Sequence, residues 1–124
     1  MLRIFTLAVA VLLTTVASAA ERSFSSQAFS ELQQLESPIL VFVHADWCPT
    51  CNRQAILLSE LLSEDEFKTI TVLRVDFDRQ KSVVDDFGVI YQSTLIVFRG
   101  GEEVGRSTAD TDKQRIANLL RKAL

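Results

Sequence analysis

Two cysteines, one histidine, one tryptophan, one tyrosine and one methionine are all that this 124-residue chain carries of those five residue types. So few soft ligands leave a closed structural zinc site without four evident donors. No basic cluster occurs, and the net charge of −3 with a pI near 5.1 argues against nucleic acid as a partner. A single Tyr and a single Trp against eight Phe point to a core built on phenylalanine, not to a stacking surface. There is no internal repeat, linker or low-complexity stretch. With 48% hydrophobic residues, the chain suits one domain with a core of ordinary size.

A long apolar run is also missing. Ile4 to Val16 is shorter than the roughly 20 residues that span a bilayer, and Thr6, Thr14 and Thr15 interrupt it. Preceded by Met1-Leu2-Arg3 and followed by Ala17-Ser18-Ala19, it reads as a signal peptide cleaved after Ala19 or Ala20. Residues 1–20 are therefore expected to be removed, leaving one domain over 21–124. No cysteine lies near that cleavage site, so no lipid anchor is expected.

Both cysteines stand together, in Trp47-Cys48-Pro49-Thr50-Cys51. An apolar strand, Ile39 to Val43, runs into them, and a helix-forming run, roughly Gln54 to Leu62, follows. Pro49 fits the first helical position, where a missing N–H leaves nothing unpaired. Cys48 then sits at a helix N-terminus, where free N–H groups and the dipole favour an anion. It is expected to be the attacking thiolate, and Cys51, one turn on and less exposed, the resolving thiol. Exported proteins usually hold cysteines as structural disulfides. A two-residue gap closes almost no loop and constrains the unfolded chain little, so the pair reads as a redox couple.

Before this stretch, Glu21 to Phe24 is a candidate edge strand. Ser25 or Ser26 caps a helix with Phe29, Leu32 and Leu35 on one face, ended by Ser37-Pro38. After it, Ala55, Leu58, Leu61 and Leu62 mark a helix face that Ile56 and Leu57 broaden, and Glu60, Glu64, Asp65 and Glu66 form a solvated acidic end. Thr69 to Phe77 reads as a strand. Ser82 to Phe87 reads as a short helix with Val83, Val84 and Phe87 inward, stopped by Gly88. Thr94 to Phe98 is a strand joined through Arg99-Gly100-Gly101-Glu102 to a last strand, Glu103 to Ser107. Thr108 or Asp110 is expected to cap a final helix presenting Ile116, Leu119, Leu120 and Ala123. The order (β)αβαβαββα implies parallel pairs and a closing antiparallel hairpin.

Ala45-Asp46-Trp47-Cys48-Pro49-Thr50-Cys51 resembles the active-site segment of the thioredoxin family: strand, Trp-Cys-x-x-Cys, helix. Phe87-Gly88-Val89 and Ser93 to Gly101 resemble that family's closing half, so the likeness covers essentially all of residues 21–124. It implies an α/β thioredoxin fold, a central mixed sheet flanked by helices. It also implies a thiol–disulfide oxidoreductase that exchanges disulfides with cysteine-containing proteins, needs no cofactor and works as a monomer. With export, the expected setting is the periplasm. The expected direction is reductive, fed by a membrane electron donor, since cytosolic donors do not reach that compartment. Trp47 is expected as a partly exposed indole beside the substrate groove, with Pro49 and Thr50 tuning the couple. Pro49 directly after the first cysteine resembles glutaredoxins and periplasmic disulfide oxidases, which points toward a more oxidising pair.

Two positions depart from the family. Ser93 stands where a cis-proline usually faces the cysteines. A cis bond before a non-proline residue costs roughly 2.5–4 kcal/mol, so the 92–93 peptide is expected to be trans. That loop binds substrate backbone in the family, so Tyr91, Gln92 and Ser93 are the implied substrate contacts. Phe42 stands where reductive members often bury an acid. His44, two residues along the same strand face, is open to two readings: a group that stabilises the Cys48 thiolate or shuttles protons, or a histidine packed under the site. Arg74, Asp76, Asp78, Asp85 and Asp86 read as ordinary solvated charges. The competing function is a copper(I) carrier using Cys48 and Cys51, with His44 as an optional third ligand, because soft thiolates suit that ion and Ser93 removes the proline that guards them.

Overall fold

A strand apolar on both faces needs cover on both, and β2 (Ile39–His44) is buried along its whole length. It lies at the centre of the computed structural model, which describes residues 21–124; the leader expected over residues 1–20 lies outside the described residues. On one side β2 pairs in parallel with β3 (Thr71–Asp76), which pairs in parallel with the edge strand β1 (Glu21–Ser23). On the other it runs antiparallel to β4 (Thr94–Arg99), which turns back into β5 (Glu102–Thr108). The order β1-β3-β2-β4-β5 is the mixed sheet the sequence implies.

Period-two alternation divides the core. Leu40 and Phe42 face the side covered by α2 (Pro49–Leu62) and α4 (Lys113–Arg121), with Leu58, Leu61, Ile116 and Leu120. Ile39, Val41 and Val43 face α1 (Ser26–Gln34) and α3 (Lys81–Asp86). There four of the eight phenylalanines gather, Phe24, Phe29, Phe87 and Phe98, with ring centroids 5.1–5.9 Å apart. Edge-to-face contacts of this kind add to the burial of each ring.

Turn chemistry closes the elements where the sequence places it. Ser25 caps α1 by accepting the Ala28 N–H, and Gly88 takes a positive φ of 63° just past α3. Gly100 and Gly101, at φ 55° and 81°, make the tight β4–β5 hairpin.

Four expectations are corrected. Leu35 is exposed, because it lies past the last helical residue of α1 and Glu36 turns the chain at φ 54°. Ile56 is also exposed: the face of α2 that meets the sheet carries Cys51, Gln54, Leu58 and Leu61, and Ile56 lies off it. The cap of α4 is Asp112, whose side chain accepts the Arg115 N–H. Thr108 remains in β5, and Asp110 shapes the turn before the cap by accepting the Asp112 N–H. The acidic end of α2 continues into a 3-10 turn, Asp65–Phe67, that buries Phe67, and Glu60 and Glu66 pair with Lys113 and Arg121 of α4.

Candidate active site

The end of β2 hands the chain to α2 through Ala45 to Cys48. The Cys48 N–H donates to the Ala45 carbonyl at 3.1 Å, which folds the link back on itself. Cys48 is the N-cap of α2 in extended conformation, with Pro49 at the first helical position. Its Sγ accepts the Cys51 N–H at 3.1 Å, so the sulfur takes the place that a Ser or Asp oxygen takes at other helix starts. Both cysteines are free thiols and both are buried, Cys51 completely. Pro49 is exposed and Thr50 half-buried on the first turn.

Burial pushes the Cys51 thiol up to about 11, and its hydrogen bond with Cys48 adds to that; the backbone of Ala45 and of Ser93 pulls the other way. Cys51 therefore stays protonated at neutral pH. One sulfur caps a helix and the other is locked in the core, an arrangement suited to attack by the first and resolution by the second.

Trp47 is 61% exposed, as expected, but it is not loose. Its Nε1–H donates to Asp78 Oδ2 at 2.7 Å, across from the end of β3. Asp76 Oδ1 in turn accepts the N–H groups of Asp78 and Arg79, both at 3.0 Å. Asp76 and Asp78 are thus not simply solvated charges: they fix the indole beside Cys48. The signal available in the sequence was an Asp-x-Asp closing the strand parallel to β2.

His44 is buried beneath this site. Its ring meets Phe42 edge-on with centroids 5.3 Å apart, and Nδ1 lies 3.6 Å from Asp46 Oδ1. Burial and then Arg74 hold its pKa below the ordinary histidine value, against smaller opposing effects of Asn52, Asp46 and Glu21. It is a neutral imidazole at pH 7. With Ser23, Asp46, Arg74, Asp76 and Gln80 it lines a polar cleft of about 130 Å³. Arg74 is not an ordinary solvated charge either. It lies 5.4 Å over the Phe42 ring, and its Nε is 2.5 Å from Glu21 Oε1. The N–H does not aim at that oxygen, so the contact is an ion pair without a hydrogen bond.

The 91–93 loop closes the site from β4. No cis peptide bond occurs among the described residues, so the 92–93 bond is trans, as expected. Ser93 is buried with φ 61°, a conformation that non-glycine residues rarely take. Its N–H donates to the Val43 carbonyl at 2.8 Å, and its carbonyl accepts from the Ala109 N–H at 2.9 Å and from Gln54 Nε2 at 3.0 Å. The backbone of Ser93 is thus engaged inside the fold. Tyr91, exposed, and Gln92, half-buried, are the loop's accessible side chains. Gln54 is a residue the sequence reading missed. The available signal was a polar side chain three residues after Cys51 on the stripe that α2 buries.

The copper(I) carrier reading finds no support: among the described residues no three His, Cys, Asp or Glu side chains gather where they could hold a metal ion.

The family model described as Thioredoxin matches residues 17–122. The chain is similar to thioredoxin of Chlamydia muridarum, 34% identical over 84 residues that cover 68% of this chain and 80% of that protein. It is similar to thioredoxin 1 of a Nostoc species, 30% identical over 107 residues that cover 86% of this chain and 99% of that one. Among solved structures, a protein called Trxlp from Edwardsiella tarda superposes with a TM-score of 0.79 at 39% identity, covering 82% of this chain and 98% of its own. With the strand, the two thiols and the helix in their expected places, the chain belongs to the thioredoxin family of thiol–disulfide oxidoreductases, with Cys48 and Cys51 as its Cys-x-x-Cys pair.

Proposed function

We propose that this protein is an exported, periplasmic disulfide reductase of cysteine-containing proteins, fed by a membrane electron donor. The observation that carries the chemistry is the helix-capping Cys48 sulfur, held 3.1 Å from the N–H of its resolving partner. Cys48 attacks one sulfur of a substrate disulfide as the thiolate; that S–S bond breaks, and the departing sulfur takes up a proton. Cys51 then loses its proton, attacks Cys48 Sγ and releases the second substrate thiol. Two electrons pass to the substrate, and a Cys48–Cys51 disulfide remains for the donor to reduce.

Trp47, Tyr91 and Gln92 border the substrate, with Ser93 setting the backbone beneath them. Pro49 and Thr50 tune the couple from the first turn of α2. His44 supports the site from below, between Phe42, Asp46 and Asn52. Export is supported by the pattern of residues 1–20, and the reductive direction by overall likeness to thioredoxins; Pro49 weighs on the other side.

The test is the reduction potential of the mature, metal-free protein in dithiothreitol and glutathione buffers. A value near or below about −250 mV supports a reductant, and one above roughly −180 mV makes the protein a disulfide donor or isomerase. No reversible two-electron transition would sink the exchange reading.

A further inference from the structure

Gln54 is completely buried on the helix that carries both cysteines, one turn beyond Cys51. Its Nε2 donates one hydrogen to the Ser93 carbonyl and one to the Asp110 carbonyl, each at 3.0 Å. Its Oε1 is buried with no partner. An orphaned buried acceptor costs about 1–3 kcal/mol, so an apolar side chain here would be the cheaper choice if only packing mattered. The two carbonyls it holds belong to the two bends at the active-site end of the sheet. Each bend contains a non-glycine residue at positive φ, Ser93 at 61° and Ala109 at 59°. The two are also joined directly, since the Ala109 N–H donates to Ser93. Left-handed backbone at such residues costs about 1–2 kcal/mol each and persists only where its surroundings hold it. A proline ring would fix φ at about −65° and could not take this conformation, so the φ of 61° at Ser93 must be imposed by its surroundings.

We propose that Gln54 is a positioning residue for the redox site: its two amide hydrogens clamp the 91–93 loop and the 109–110 bend to helix α2, and so hold the substrate-facing loop in its working conformation. The proposal rests on the disulfide-exchange reading of Cys48 and Cys51. It assigns Gln54 no contact with substrate. Losing the clamp weakens recognition of a protein chain laid along the loop, and leaves untouched the encounter of Cys48 with a disulfide too small to reach it.

The experiment compares wild type with Gln54→Leu, using dithiothreitol as reductant and two substrates, insulin and hydroxyethyl disulfide. Gln54→Met, which keeps the length of the side chain, is measured alongside in case Gln54→Leu does not fold. The expected result is a KM for insulin raised roughly tenfold, the worth of about one net hydrogen bond. kcat should stay within about twofold and the rate with hydroxyethyl disulfide should be unchanged. A lower Tm with KM unchanged would mean that Gln54 only stabilises the fold, and would overturn the proposal. So would an equal loss with both substrates, which would place the effect on the thiols. If wild type itself reduces neither substrate, the exchange reading fails, and that outcome is separate from any difference between the variants.

Discussion

Among the single residues, Cys51 separates chemistry from scaffolding. It is buried, protonated at neutral pH, and bonded through its N–H to the Cys48 sulfur that it attacks in the proposed exchange. Removing that thiol leaves the first attack possible and the second impossible. In Cys51→Ser, mixed disulfides between Cys48 and substrate proteins should therefore accumulate, visible as higher-mass bands on non-reducing gels that vanish with dithiothreitol. Cys48→Ser should show none; bands in Cys48→Ser with none in Cys51→Ser would reverse the two roles, and bands of equal strength in both would abolish the division between them. Cys48, Cys51 and the place of Pro49 at the first helical position were legible from spacing alone, because a Cys-x-x-Cys at a strand-to-helix junction has few other uses. Asp78 and Gln54 were not legible. Their partners, Trp47 and Ser93, lie 31 and 39 residues away along the chain, and only folding brings them together.

At the level of elements, amphipathic period and cap chemistry located each strand and α-helix of the described residues to within a few residues, but not the 3-10 turn at Asp65–Phe67. They failed where a neighbouring element chooses the buried face. Ile56 shows this: six apolar residues on α2 offered a wide face, and the sheet took only part of it. Gly105 is the converse case. It lies opposite Val97 on β5, and a Cβ there would meet Leu119 Cδ1 of α4 at 2.9 Å and Lys122 Cδ at 3.2 Å. Both are side-chain ends that can shift a little, so one methyl is tolerable and a branched side chain is not. Gly105→Val should destabilise the protein by about 1–3 kcal/mol through overpacking, read as a fall in denaturant midpoint with the slope unchanged, and Gly105→Ala by less. Equal midpoints for Gly105→Val and wild type would show that α4 does not rest on β5 as described.

Over the whole molecule, two buried groups among the described residues, His44 and Cys51, have shifted titrations that couple folding to pH. His44 is held below its ordinary value, so the unfolded chain binds the proton more readily. Its contribution is present above about pH 6.5 and lost as pH falls through the folded value. Cys51 is raised from 9.0 to about 11, so its contribution is present below about 9 and lost as pH rises toward 11. Urea midpoints of the reduced protein should therefore fall at both ends of the range. Oxidation to the Cys48–Cys51 disulfide removes the alkaline limb only, and His44→Gln should flatten the acid limb. An alkaline fall that persists unchanged in the oxidised protein would assign it to another group.

The sequence by itself determined the fold class, the order of elements along the chain and the identity of the two thiols. Each of these follows from local information: alternation, helical period, turn residues and a pair of cysteines two residues apart. Only the tertiary structure decided what stands around the thiols. It put the Trp47 indole on Asp78, the Ser93 carbonyl on Gln54, and the His44 ring in a buried position against Phe42. Those arrangements depend on hydrogen bonds and burial between segments far apart in the chain, and no local pattern encodes the partner that a buried polar group will find.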